Sequence, residues 1–179
     1  MGALSTPSLR VIQFQKAMVF VDGTNLFYRL EAAKLRLRSL AAMCKHFAQG
    51  RQLTRVYLYT SQPHLEKASQ CHGKAIEEDV RVVLGDAIPT GDGNYKEKGV
   101  DALLVADLVY HAAARNYDYA LLVSVDQDFA RALKRVEDFG CRTGVIGVCA
   151  PVPDALRKSA DDVFEATATV LTSNSWASG

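Results

Sequence analysis

Four aspartates occupy positions where their carboxylates can do chemistry together. Asp22 and the pair Asp126 and Asp128 follow apolar, strand-like segments, and Asp101 begins a helix-like segment. Two carboxylates about 5 Å apart repel each other by roughly 3 kcal/mol at an effective dielectric near 20, so such a group needs protons or a cation. Mg²⁺ or Mn²⁺ suits oxygen ligands and activates a water for attack on a phosphate. The chemistry predicted is phosphodiester hydrolysis.

Each aspartate also has an ordinary structural explanation. Asp22, Asp101 and Asp126 suit helix caps, and Asp128 suits the first turn of a helix, where the helix dipole favours negative charge. For any one of them, capping is the preferred interpretation. The case for a shared site depends on whether the fold brings all four to one edge.

The order of the chain segments favours such a fold. Apolar strand-like segments alternate with helix-like ones, and we predict an α/β protein with three α/β/α layers around a mostly parallel, Rossmann-like sheet. The predicted strand order is 3-2-1-4-5, which makes the first and fourth strands neighbours at the switch point where ligands bind. We predict strands at 17–21, 55–60, 80–85, 119–124 and 143–148, an edge strand near Val163, helices at 25–49, 63–78, 100–114 and 127–139, and an exposed loop at 86–99.

Length and composition fit a single globular domain. The chain has 179 residues, 49% of them hydrophobic, and a formal net charge of +1. We expect a flexible segment at 1–15, one domain at 16–171 and a flexible tail at 172–179. No apolar run is long enough to span a membrane. The four cysteines lack the paired spacing of a zinc site, which favours reduced thiols and a cytoplasmic location.

Several motifs together resemble one known family. The segments 20-FVDGTNLF-27, 98-KGVDALLVADLV-109, 121-LLVSVDQDFARAL-133 and 155-ALRKSADDVFE-165 are similar to those of the NYN domain of the LabA-like group, within the PIN-like nucleases. The resemblance implies a metal-dependent ribonuclease on a PIN-like fold. It also implies that Asp22, Asp101, Asp126 and Asp128 are the metal-binding, catalytic acids.

The resemblance also implies supporting residues and shows a departure. Asn25 matches a polar supporting position and Lys98 falls on the family's K-G-x-D motif; we add Ser124 and Asp107 as supporting residues. Asp107 is interpreted equally well as a partner of the acids or as a structural hydrogen-bonder. The family pattern S-G-D-S-D-F reads 124-SVDQDF-129 here. Valine does not readily adopt positive φ, so the loop must differ if the family glycine requires it.

Basic residues indicate where nucleic acid would bind. Seven lie between positions 29 and 55 against one acid, which suits either a phosphate backbone or a solvated helix face. Two tyrosines, Tyr28 and Tyr95, could stack on unpaired bases. The candidate nucleic-acid-binding residues are Arg29, Arg36, Arg38, Lys96 and Arg131.

The sequence therefore predicts a ribonuclease dependent on Mg²⁺ or Mn²⁺, with a metal-activated water held by the aspartates. The expected substrate is RNA, preferably single-stranded, although nothing in the sequence distinguishes it from DNA. A homo-oligomer is compatible with the sequence. Two alternatives stay open: an RNA-binding or regulatory module with weak or no turnover, favoured by Val125, and a small-molecule phosphohydrolase.

Overall fold

A central sheet organises the protein. The computed structural model describes residues 14–91 and 93–179, so most of the predicted N-terminal segment 1–15 lies outside the described residues. Within them, the sheet consists of β1 (Lys16–Asp22), β3 (Gln52–Ser61), β4 (Arg81–Pro89), β5 (Tyr95–Lys98), β6 (Tyr119–Val123), β7 (Arg142–Val148) and β8 (Asp162–Ala166). A separate antiparallel pair joins β2 (Arg36–Leu37) and β9 (Ala177–Ser178).

The strand order is β5-β4-β3-β1-β6-β7-β8. All pairs are parallel except β4 with β5. The five predicted strands correspond to β1, β3, β4, β6 and β7 in chain order. Their order in the sheet, β4-β3-β1-β6-β7, confirms the predicted 3-2-1-4-5 order. In register, Val21 of β1 stands beside Val123 of β6. The carboxyl ends of these two strands thus meet at the switch point of the sheet.

Helices cover both faces of the sheet, which confirms the three-layer α/β/α prediction. Alternate residues of β1 point to opposite faces: Val19 and Val21 pack in one core, and Met18 and Phe20 in the other. Helices α1 (Gly23–Ala32), α2 (Leu40–Phe47), α3 (Gln62–His72) and α7 (Ala168–Ser173) pack on the first core; α4 (Val100–Ala113), α5 (Ala130–Glu137) and α6 (Asp154–Arg157) pack on the second. No helix of the described residues is both apolar and long enough to cross a bilayer.

The prediction of one helix over 25–49 was wrong. The chain forms α1, then β2, then α2. Lys34 adopts φ 55°, which ends the first helix, and the following leucines, Leu35 and Leu37, are buried with β2 paired to β9. The basic residues of this region are therefore spread over α1, β2, α2 and the turns between them, and do not share one helix face.

Two further segments are more ordered than the sequence predicted. The 86–99 segment was expected to be a loop, but β4 runs on to Pro89 and forms a hairpin with β5. The 172–179 segment was expected to be a flexible tail. Instead, β9 pairs with β2, and the buried Trp176 lies against Phe47 with ring centroids 5.9 Å apart.

Candidate active site at the carboxyl edge of the sheet

Asp22 connects the end of β1 to the start of α1. It is the helix N-cap, and its Oδ1 accepts a hydrogen bond of 3.0 Å from the backbone N–H of Asn25. The next residue is a glycine because α1 starts so close to β3 that a side chain would not fit. A Cβ at Gly23 would lie 2.7 Å from the carbonyl oxygen of Tyr59. Asp22 and Gly23 thus form a sharp turn at the carboxyl end of β1, in which Asp22 is buried, at 6% exposure.

A ring of hydrogen bonds ties this turn to the loop after β6. The hydroxyl of the buried Ser124 donates to Oδ2 of Asp22 over 2.9 Å and accepts from the backbone N–H of Asp126 over 3.0 Å. The backbone N–H of Val125 donates to Oδ1 of Asn25 over 3.3 Å. The predicted supporting residues Ser124 and Asn25 therefore hold two acids in fixed relation.

The other three predicted acids line one hollow in front of this ring. Asp101, Asp126 and Asp128, with Phe129 and two residues of α4, enclose about 260 Å³. Asp126 caps the short 3-10 helix Gln127–Phe129, and its Oδ1 accepts from the backbone N–H of Asp128 over 2.9 Å. Asp101 lies in the first turn of α4, after Gly99, whose φ of 76° is in the left-handed region that favours glycine.

Ion pairs and pKa shifts describe the electrostatic surroundings of these four acids. Among the described residues, none of the ion pairs involves Asp22, Asp101, Asp126 or Asp128. Burial, with the nearby charges of Asp101 and Asp126, raises the pKa of Asp22 to about 6. Burial also raises the pKa of Asp101, and the charges of Asp126, Glu97 and Asp128 add to the rise. The fold brings the four acids into one electrostatic neighbourhood.

Comparison with known proteins identifies the domain. A family model for the NYN domain matches residues 16–168. The chain belongs to the NYN domain family. Membership implies a PIN-like nuclease fold and suggests a nucleic-acid substrate. No curated protein matches the chain. A crystal structure of VPA0982, a protein of unknown function from Vibrio parahaemolyticus RIMD 2210633, superposes with a TM-score of 0.68 over 90% of this chain and 96% of that one, at 21% identity, and supports the fold.

The donor set of these four acids fits a hard divalent cation. The four acids offer only oxygen, which suits Mg²⁺ or Mn²⁺ and does not suit zinc. Within residues 14–91 and 93–179, however, no three acidic, histidine or cysteine side chains are placed to hold one ion together. Mg²⁺ is commonly bound through one or two carboxylates and several waters. The arrangement therefore fits water-mediated binding better than a cage of direct ligands.

Val125 does not strain the loop. It is absent from the described non-glycine residues with positive φ, and its side chain is buried, with Cγ1 near Gly147. A valine at the place of the family glycine is therefore compatible with the backbone seen here.

Glu97 is an acidic residue of this region that sequence reasoning missed. Its Oε1 accepts from the backbone N–H of Ser61 over 2.8 Å and from the hydroxyl of Thr60 over 3.2 Å, and its Oε2 accepts from the hydroxyl of Thr24. Its charge also raises the pKa of Asp101. Glu97 lies on β5, in the segment predicted to be a loop, so the strand that positions it went unrecognised.

Asp107 and Lys98 lie apart from the ring of hydrogen bonds. Asp107 is half-buried on α4, and its Oδ2 accepts from the hydroxyl of Tyr59 over 2.9 Å. This contact fits the structural interpretation of Asp107. Lys98 is exposed at the end of β5, where its backbone lies opposite that of Asp86.

The five predicted nucleic-acid-binding residues occupy different surfaces. Arg36 and Arg38 are exposed at and just after β2, and Lys96 is exposed on β5. Arg131 is exposed on α5, in a separate hollow with Lys134 and Arg135. Arg29 is half-buried, with its guanidinium 5.5 Å from the ring of Tyr28. The structure therefore does not bring these five residues together as one patch.

Proposed function

We propose that this NYN domain is a divalent-metal-dependent ribonuclease that hydrolyses phosphodiester bonds at the carboxyl edge of its sheet. The observation that supports it most is the group of four carboxylates without a neutralising cationic side chain among the described residues. A cation and an approaching phosphate are the natural counterparts of such a group. Membership of the family, with its PIN-like nuclease fold, supports the same proposal.

The cation would be held by carboxylate oxygens of Asp22, Asp101, Asp126 and Asp128, in part through bridging waters. When bound, it supplies Lewis-acid activation of a water and of the phosphate. Ser124 and the backbone of Asn25 fix the orientation of the Asp22 carboxylate. The three acids that line the hollow repel a phosphodiester until their charge is compensated, so substrate binding is coupled to cation binding.

The acids are also the proton acceptors nearest to the proposed reaction. The water oxygen forms a bond to phosphorus and gives a proton to a carboxylate, while the bond from phosphorus to the leaving oxygen breaks and that oxygen takes a proton from solvent. Asp126 retains Oδ2 for this role because the described hydrogen bond to its carboxylate uses Oδ1. We assign Asp126 as the group that orients and deprotonates the water.

The test is hydrolysis of labelled single-stranded RNA in Mn²⁺ and in EDTA. Asp126→Asn should lower the Mn²⁺-dependent rate at least about 100-fold, as expected for loss of general-base catalysis. Asp138→Asn is the matched control, since the side chain of Asp138 is exposed and forms an ion pair with Arg135 of α5. Equal rates for the wild type and Asp126→Asn would remove the catalytic assignment.

A binding or regulatory module with little turnover is the second candidate. The favouring observation is that no three acids of the described part are placed around one ion. Calorimetry with Mn²⁺, followed by the cleavage assay, separates the candidates: tight metal binding without hydrolysis supports the module. Assignment to the LabA-like group, a cytoplasmic location and self-association stay predictions.

A further inference from the structure

A groove lies between α1 and α3. It has a volume of about 400 Å³, within the range of small-ligand sites. Its apolar lining includes Phe27, Leu35 and Ala68. The ring of Phe27 stacks on that of His72, with centroids 5.8 Å apart and planes inclined by 25°. The groove therefore offers a flat, apolar surface of the kind on which a nucleobase stacks.

The polar groups of the groove suit a base with an attached phosphate. His72 accepts a hydrogen bond of 3.1 Å at Nδ1 from the backbone N–H of Leu37, which leaves Nε2 as the donor of the neutral ring. Lys34, Arg36 and Lys67 also line the groove and are exposed. The one acid in the lining, Glu31, pairs with Lys67 over 3.6 Å. The lining is thus net basic, in contrast to the acidic hollow nearby.

The groove is joined to the acidic site through Thr24. Thr24 lines the groove, and its hydroxyl donates to Glu97, the acid that is electrostatically coupled to Asp101. His64 also lines the groove, and its Nδ1 lies 3.4 Å from Oε1 of Glu97, the residue that Thr24 contacts. A strand with a phosphate at the acids can therefore place a neighbouring nucleotide at this end of the groove.

We propose that the groove between α1 and α3 binds one unpaired nucleotide of a single-stranded RNA, next to the phosphate held at the acids. The base stacks in the apolar part, and the basic residues contact the flanking phosphates. This inference rests on the proposed function and adds a requirement: a duplex, whose bases are already stacked and paired, cannot fill the groove.

Cys71 provides a direct reporter of occupancy. It lines the groove and is exposed, whereas Cys44 and Cys141 are buried. In a Cys149→Ser variant with Mn²⁺, the rate of Cys71 modification by a thiol reagent should fall severalfold when a single-stranded oligoribonucleotide with hydrolysis-resistant phosphorothioate linkages is bound. The same sequence as a duplex should not protect Cys71. The matched control is Cys71→Ser, in which the half-buried Cys149, outside the groove, should react at the same rate with and without RNA.

Affinity measurements test the residues of the groove. Tyr28, which is 64% exposed, lines the groove, and Tyr28→Ala should weaken single-strand binding by about tenfold if it stacks on the base. Arg36→Ala should weaken binding and lower its salt dependence. Lys45→Ala is the matched control, because Lys45 is an exposed cation that lines a different hollow.

These experiments separate the groove from the proposed hydrolysis. Protection of Cys71 without Mn²⁺-dependent cleavage would overturn the ribonuclease proposal and keep the groove as a nucleotide site. Cleavage with RNA bound but Cys71 unprotected would overturn the groove proposal alone. A free mononucleotide that protects Cys71 as well as the oligonucleotide would overturn the strand-binding inference.

Discussion

Neutralising Asp22 should stabilise the folded protein at high pH while abolishing the proposed activity. Burial raises the pKa of this carboxyl from 3.8 to about 6. A difference of this size corresponds to about 3 kcal/mol between the folded and unfolded states. Because Asp22 is only 6% exposed, solvent screening offsets little of that cost. Ionised Asp22 therefore destabilises the protein when no cation is bound.

The direction of the pH effect follows from the raised pKa. The stabilising contribution of protonated Asp22 is complete below the unfolded pKa of 3.8 and is lost as pH rises through the folded pKa of about 6. In Asp22→Asn this titration is absent. The side-chain oxygen still accepts from the backbone N–H of Asn25, but the hydroxyl of Ser124 loses its carboxylate acceptor, at a cost of about 1 kcal/mol. The expected net gain is about 1 to 2 kcal/mol at pH 8, and near zero at pH 4.

Urea denaturation in EDTA measures this difference. Trp176 is the only tryptophan of the sequence and is buried, so its fluorescence reports unfolding. Asp138→Asn serves as the control, because this exposed side chain should change the free energy of unfolding by less than about 1 kcal/mol at either pH. The reasoning is refuted if Asp22→Asn is no more stable than the wild type at pH 8, or if its advantage is the same at pH 4.

Three other outcomes follow from the same contacts. Ser124→Ala should lower the free energy of unfolding by about 1 to 3 kcal/mol in denaturant titrations, because the buried carboxylate of Asp22 loses a donor and the part-buried backbone N–H of Asp126 loses its acceptor; an unchanged midpoint would contradict this. Asp107→Asn should keep wild-type RNA hydrolysis, since an amide oxygen still accepts from Tyr59; a loss like that of Asp126→Asn would place Asp107 in the site. Mn²⁺ at 100 times its dissociation constant should stabilise the wild type by about 2.7 kcal/mol in thermal melts, and Asp101→Asn much less; equal shifts would argue against Asp101 as a ligand.

The sheet, and the edge of it at which the four acids lie, were predictable because their signals are local and strong. Strands β1 and β6 are buried on both faces of the sheet. Their sequences are therefore continuously apolar and do not alternate with polar residues. Parallel strands need crossover helices, which restricted the topology and placed Asp22 and Asp126 side by side. Pairing of Val21 with Val123 confirms that placement of the backbone.

The parts that were missed depend on distant partners. The segment between Ala32 and Leu40 carries no glycine or proline, so the sequence showed no helix break. The break is stabilised by β9, at the other end of the chain. Likewise, β5 is a polar edge strand, and its Glu97 contacts Thr24 across 73 residues and Ser61 across 36. Composition describes exposure but not pairing, so the first segment resembled a continuous helix and the second resembled a loop.

Helix capping and a catalytic role, which compete in the sequence, are compatible in the structure. The caps at Asp22 and Asp126 each use Oδ1, and each carboxylate has a second oxygen. At Asp22 that oxygen accepts from Ser124, whose hydroxyl in turn accepts from the backbone of Asp126. Capping therefore fixes the orientation of the two acids, and the N-terminal N–H groups partly offset their charge. Helix capping, which made each aspartate look ordinary in the sequence, thus explains how the buried Asp22 and the half-buried Asp126 are held together before any cation binds.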